Sequence, residues 1–284
     1  MVVALQKKGI LYLVATPIGN LEDMTFRAVR ILQEVSMVAA EDTRHSRRLM
    51  QHYGIHTPMV SLHEHNEVAR TRQLIQYLQK GTDVALIADA GMPLISDPGY
   101  HLVKTAHAME MRVVPIPGAS AVIAALAVSG LPTDRFVFEG FLPARDTARM
   151  KRLQALTQET RTMVFYESVH RIMDLIVAMT RVFEGERPVT LARELTKTFE
   201  TVYHTHLSHL KMWLEQHPQQ RRGEFVIVLA GAPFQDVTLT VEHQRVLEIL
   251  LKELSLKQAV ALSARLTGVS RKVLYTAALK FSPR

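Results

Sequence analysis

Four short clusters carry much of the chemistry this chain can offer. They are Thr16-Pro17-Ile18-Gly19-Asn20, Glu41-Asp42-Thr43-Arg44-His45, Asp89-Ala90-Gly91-Met92-Pro93 and Pro117-Gly118-Ala119-Ser120. Asp42 and His45 are candidate proton acceptors. Arg44 could hold a phosphate through both arms of its guanidinium, or could pair with Asp42 and only shape its own loop. Further along, Phe165-Tyr166-Glu167-Ser168-Val169-His170-Arg171 gathers aromatics, an acid and two bases around one turn. Glu167 is a second candidate acid–base group there, and Arg171 a second candidate phosphate holder. An aromatic beside an arginine also suits stacking on an unpaired base. Arg193, Glu194 and Lys197 form a third charged group. His63 and His65 fall on one face of a strand, with Glu64 and Glu67 nearby. No third ligand follows at a recognised spacing, so no metal site is expected.

The glycines exclude several chemistries. No two of the thirteen are spaced as G-x-G. Both the dinucleotide fingerprint and the P-loop are therefore missing, which argues against a pyrophosphate ligand at the first strand. The chain contains no cysteine, so disulfides and thiolate metal sites are excluded.

The elements that must position these clusters follow from the apolar periodicity. Strands are expected at Ile10–Ala15, Met37–Glu41, Met59–Leu62, Val84–Ala88 and Arg112–Ile116. Helices are expected between them, near Met24–Gln33, Ser46–His52, Glu67–Gln79 and Tyr100–Met109. Near-continuous apolar strands alternating with helices imply a parallel sheet covered on both faces. Pro115-Ile116-Pro117-Gly118 is the expected hinge, followed by a small-residue helix over Ala119–Ser129. The second half reads as strands near Phe136–Glu139, Thr162–Glu167, Val189–Glu194, Glu200–His204 and Phe225–Ala230. Helices are expected at Thr147–Leu156, Arg171–Phe183 and Leu207–Gln216, which makes that sheet mixed. The fold class is α/β. Two α/β domains, 1–116 and 117–236, flank a ligand cleft, and a small helix-turn-helix-like module follows at 237–284.

Composition bounds the partners. The chain has 284 residues, 48% of them apolar, and a formal charge of +7. Its apolar runs are too short to span a bilayer, residues 1–8 have no apolar leader core, and a cytoplasmic chain is expected. Residues 243–284 hold eight Lys and Arg, among them Arg265, Arg271 and Lys272, against two acids. Charge concentrated on a helix-turn-helix pattern points to nucleic acid; a solvated face of a small packing domain is the alternative.

The runs ATPIGNLEDMTFRA, AEDTRHS, LHEHNE, DAGMPLISDPG, PIPGASA, FYESVHR and ARELTKTFE resemble, in order, the motifs of the tetrapyrrole-methylase superfamily. They are most similar to its ribosomal branch, the 16S rRNA (cytidine-2'-O)-methyltransferases. The resemblance implies S-adenosylmethionine in the crevice between the two domains. It implies contacts from Pro17, Ile18, Asp89, Gly91, Met92, Ile95, Ser120, Ala121, Tyr166, Glu194 and Ala230. Related methylases carry an acid where this chain has Met92. Asp42 and Glu167 are the expected catalytic groups. Arg44, Arg171, Arg193, Lys197, Arg265, Arg271 and Lys272 are the expected RNA-binding groups. The expected partner is 16S rRNA of the small ribosomal subunit, and the expected assembly a homodimer. A small-molecule (tetrapyrrole-type) methylase and a non-catalytic RNA-binding or ribosome-assembly protein are the alternatives. Ile18, Ile95 and Ala230 read equally well as core residues.

Overall fold

A computed structural model describes residues 8–233 and 239–281. The segment 1–7, residues 234–236 of the expected linker with the 236/237 boundary, and Arg284 lie outside the described residues. The chain forms two compact units, Met1–Gly231 and Ala232–Arg284.

The larger unit opens with five strands: β1 (Ile10–Val14), β2 (Met37–Ala40), β3 (Met59–Ser61), β4 (Val84–Ile87) and β5 (Arg112–Ile116). All pair in parallel, in the order β3-β2-β4-β1-β5. Four helices connect them: α1 (Phe26–Glu34), α2 (Thr43–His52), α3 (Glu67–Gln79) and α4 (Tyr100–Ala108). Successive strand residues point to opposite faces, so the apolar runs serve two cores. Ala85 and Ile87 pack with Ile31 and Leu32 of α1 and with Leu49 and Met50 of α2. Val84 and Leu86 pack with Leu74 and Leu78 of α3 and with Leu102 and Ala106 of α4.

Two helices start elsewhere than periodicity suggests, and caps explain both. The Asp42 carboxylate accepts the Arg44 backbone N–H at 2.8 Å, so α2 begins at Thr43 rather than Ser46. Thr25 Oγ1 accepts the Ala28 N–H at 3.1 Å, and α1 begins at Phe26 rather than Met24.

Beyond Pro117 and Gly118, α5 (Ala121–Val128) leads into a mixed sheet of β6 (Phe136–Phe141), β7 (Thr162–Glu167), β8 (Pro188–Arg193), β9 (Thr201–His206) and β10 (Phe225–Leu229). The order is β6-β7-β10-β8-β9, with only β6 and β7 parallel. α6 (Asp146–Ala155), α7 (Ile172–Val182) and α8 (Leu207–Gln216) bury one face. The small residues of α5 cover the other, where Val122, Ala125 and Leu126 meet Val164, Ala192, Val226 and Val228, with Ile18 packed against them.

The smaller unit is three helices, α9 (Val241–Glu253), α10 (Leu256–Thr267) and α11 (Arg271–Phe281), around Leu247, Val260, Val269, Leu274 and Ala278. The Ser255 N–H donates to Gln258 Oε1 at 3.3 Å ahead of α10. Gly268 ends that helix at φ +72°, the left-handed conformation that favours glycine. Ser270 Oγ accepts the Val273 N–H at 3.4 Å at the start of α11. Among the described residues, no helix is long and apolar enough to cross a membrane.

Candidate functional site

The loops that follow β1, β2, β4 and β5 sit along one edge of the parallel sheet, where open α/β folds bind ligands. Two of them are fastened together. The Thr16 N–H donates to Gly91 O at 2.9 Å, the Gly91 N–H donates to Thr16 O at 3.0 Å, and Thr16 Oγ1 donates to Ala88 O at 3.2 Å. Gly91 has φ +81°, and a Cβ there would lie 3.4 Å from Ile18 Cγ2. Gly118 brings the fourth loop in as closely; its Cβ would stand 2.9 Å from the Ala15 Cβ. Leu94 and Ser96 also hold positive φ, 73° and 72°, which is strained for residues with side chains. The end of their loop is pinned by Glu67, whose Oε1 accepts the N–H groups of Gly99 and His101, each at 2.9 Å.

The second sheet presents a matching edge. Antiparallel pairing sets Phe225 opposite both Glu167 and Arg193, so β10 offers its first residues where β7 and β8 offer their last. A bulge between Phe138 and Gly140 lets β6 reach Phe141, whose ring lies 5.5 Å from that of Tyr166.

Between the two edges lies a cavity of about 360 Å³, within the usual range for a small-ligand site. Ile18, Gly91, Met92, Ile95, Asp97, Ser120 and Ala121 line it from one side, and Phe141, Tyr166, Glu167, Ala192, Leu195, Glu224 and Val226 from the other. A second cavity of about 490 Å³ shares Ile18, Ala90 and Glu224 with the first, and adds Pro17, His45, Arg48, Asp89 and Lys197. A third, of about 430 Å³, touches the second at Asp89 and is lined by Glu41, Asp42, Arg44 and His63.

The residues expected at the cofactor therefore separate. Ile18, Gly91, Met92, Ile95, Ser120, Ala121 and Tyr166 line the first cavity, and Glu167 joins them. Pro17 and Asp89 line its neighbour, where Asp89 Oδ1 also accepts the Asp42 N–H at 3.1 Å. Glu194 lies behind the wall, its Oε1 accepting the Glu224 N–H at 2.9 Å and a hydrogen bond from Lys197 Nζ at 2.9 Å. Ala230 is on the opposite edge of the second sheet, bonded to the start of β8 through its N–H and Pro188 O. The antiparallel course of β10 is the reason.

The expected RNA-binding residues separate too. The Arg193 guanidinium is almost buried and donates to Arg222 O at 2.6 Å and Phe199 O at 2.9 Å, which makes it a brace rather than a free phosphate holder. Arg171 donates to Leu142 O at 2.6 Å and stands 3.3 Å from Glu167. Lys197 sits between Glu194 and Glu224. Arg44 is exposed but clasps Asp42 at 3.2 and 3.0 Å. Arg265, Arg271 and Lys272 are exposed, and no ion pair among the described residues involves them. His63 is engaged by the Asn66 side chain, and among the described residues no three His, Asp or Glu are grouped to hold a metal.

Titration separates the acids further. Hydrogen bonds from Arg44 hold the Asp42 carboxyl at about 2, so it is a poor proton acceptor and acts as the cap of α2. Burial, reinforced by Glu41 and Asp89, pushes Asp97 up to about 7. Burial and the charge of Asp89 raise Glu41 as well. Burial pushes the Tyr166 hydroxyl up to about 12. Asp97 was not singled out from the sequence. Its signal was present: it is the one acid in the loop between Gly91 and Gly99.

Residues 10–211 match the family of Tetrapyrrole (Corrin/Porphyrin) Methylases, and residues 237–282 match the RsmI C-terminal HTH domain. The chain is 54% identical over 274 residues to Ribosomal RNA small subunit methyltransferase I of Pseudomonas aeruginosa, covering 96% of this chain and 97% of that one. It is 48% identical to the protein of the same name from Haemophilus influenzae, covering 94% and 95%. Its fold matches that of uroporphyrin-III C-methyltransferase from Thermus thermophilus complexed with S-adenyl homocysteine, with a TM-score of 0.54 at 20% identity, over 78% of this chain and 97% of that one. A two-sheet body with a ligand-sized strand-end cavity, a C-terminal helical unit and 54% identity over nearly the full length thus coincide, and the chain belongs to the tetrapyrrole methylase family, in its ribosomal RNA small subunit methyltransferase I group.

Proposed function

We propose that this protein transfers a methyl group from S-adenosylmethionine to the 2'-oxygen of a cytidine ribose in 16S rRNA of the small ribosomal subunit. The observation that carries this reading is the first cavity. It is nucleoside-sized, apolar at Ile18, Met92, Ile95 and Ala121, and made from loops without a phosphate-binding glycine pattern. The full-length likeness to named small-subunit rRNA methyltransferases supports the substrate class.

When bound, S-adenosylmethionine supplies a methyl group already activated by its sulfonium. The protein aligns the acceptor oxygen behind that methyl group and excludes water. The second cavity adjoins the first and takes the extruded nucleotide. Arg48 meets its phosphates, and His45 and Asp89 are the proton acceptors in its lining. Arg265, Arg271 and Lys272 of the smaller unit hold further rRNA phosphates. The domain reading 1–116, 117–236 and 237–284, a homodimeric assembly and a cytoplasmic location complete the proposal.

The test is transfer of labelled methyl to small subunits lacking the modification, followed by nucleoside identification. Label in 2'-O-methylcytidine is the expected result, and Ala121→Phe, which fills the cavity, abolishes it. Cofactor binding without labelled RNA would turn the reading toward a small-molecule methylase. Loss of both would leave a non-catalytic RNA-binding protein.

A further inference from the structure

Three carboxylates line the cofactor cavity: Asp97, Glu167 and Glu224. Two of them are answered by the protein's own cations. Glu167 faces Arg171 at 3.3 Å and accepts the Ser168 N–H at 2.8 Å. Glu224 faces Lys197 Nζ at 3.0 Å. Asp97 alone makes no ion pair and no side-chain hydrogen bond among the described residues. The groups acting on it add no positive charge. Glu41 and Asp89, at the ends of β2 and β4, add negative charge to the effect of burial, and Tyr166 of β7 lines the same cavity. A half-buried carboxylate with no cation paired to it is unfavourable in the cofactor-free protein. A cationic ligand removes that penalty, and the methionine end of the proposed cofactor carries a sulfonium and an ammonium against one carboxylate, a net positive charge.

Resting on the methyltransferase reading above, we infer that Asp97 is the counter-charge for the cationic methionine end of S-adenosylmethionine and fixes the direction in which the cofactor lies in the cavity. The backbone supports this placement. Ser96, directly before it, is held at φ 72°, and the loop is tied down at Gly99, so the carboxylate is presented by a strained and braced segment. Its raised proton affinity fits an acid waiting for a cation. The adenosine end then falls to the walls where Glu167 and Glu224 are already neutralised.

Calorimetry on the full chain tests this with Asp97→Asn, which keeps the side chain's shape. S-adenosylmethionine should bind about tenfold to a hundredfold more weakly, the range of a lost charge-assisted contact. Methylthioadenosine, which has the nucleoside and neither cation, should bind the variant as it binds the wild type. S-adenosylhomocysteine keeps the ammonium only. A loss shared with it assigns Asp97 to the ammonium, and a loss confined to the methyl donor assigns it to the sulfonium. Equal weakening of methylthioadenosine, or wild-type affinity for the donor, overturns the assignment. A wild-type protein that fails to bind the donor at all would sink the methyltransferase reading itself, an outcome distinct from either.

Discussion

The basic residues of the larger unit and those of the C-terminal unit are used differently. Arg193, Arg171, Lys197 and Arg44 all end on internal partners: backbone carbonyls, a buried glutamate, a pair of acids and a capping aspartate. Arg265, Arg271 and Lys272 end in solvent. All seven carry one positive charge, and each set mixes arginines with one lysine, so neither charge nor residue type separates them. What separates them is whether strand ends nearby leave carbonyls or carboxylates that need a donor. The larger unit has such ends at one edge of each sheet, and these four cations pair with them, Arg44 while remaining exposed. The three-helix unit leaves its cations exposed among the described residues.

Stability is the sharpest place to break this comparison. Arg193→Met should lower the unfolding free energy by about 3 kcal/mol, because carbonyls of Arg222 and Phe199 lose a charged donor in a site that water reaches poorly. Arg271→Met should stay within about 0.5 kcal/mol of the wild type. Urea midpoints of the two variants measure the contrast. Equal, small shifts would mean that the brace has no structural role and would return Arg193 to the RNA-binding set. RNA affinity gives the reciprocal test. Replacing Arg265, Arg271 and Lys272 together by Ala should reduce the dependence of log affinity on log salt by roughly two units, near 0.7 per lost single-strand contact. Cofactor affinity should not move. An unchanged salt slope in a binding titration would place the RNA contacts elsewhere.

Much of the fold was legible because the signals were redundant. Strand runs, helical periodicity and the breaker at Pro115–Gly118 all agree with the elements observed. The cavity was legible as a set of loops, since strand ends of a parallel sheet share one edge. Individual roles were less so. Ala230 was misplaced because strand direction in a mixed sheet is a tertiary property, and β10 runs opposite to its neighbours. Asp97 was missed because its significance lies in what surrounds it: Glu41 and Asp89 belong to loops 56 and 8 residues away. Arg193 was misread because its acceptors, at positions 199 and 222, become neighbours only in the folded chain.

Asp42 gives the smallest and finest test of the same contrast. It lines a polar cavity beside Arg44, and as a sequence it reads equally as catalyst or as the ion-pair partner that shapes Arg44's loop. The structure gives it three donors: the Arg44 backbone N–H at 2.8 Å and two guanidinium contacts at 3.2 and 3.0 Å. These hold its carboxyl at about 2, below its ordinary 3.8. A folded-state value below the unfolded one stabilises the fold above the unfolded value, and that contribution fades as pH falls toward the folded one. The melting-temperature gap between wild type and Asp42→Ala should therefore be full at pH 7 and close as pH falls from about 4 toward 2. Activity should behave differently from that of a general base, whose loss removes roughly 10²–10⁴-fold. Asp42→Asn retains an oxygen to cap α2 and should keep methyl transfer within about tenfold of the wild type. A loss of a thousandfold, with the melting temperature unchanged, would show that the pairing with Arg44 opens when RNA binds and frees the carboxylate for the reaction. The contrast between inward and outward cations would then describe only the RNA-free protein.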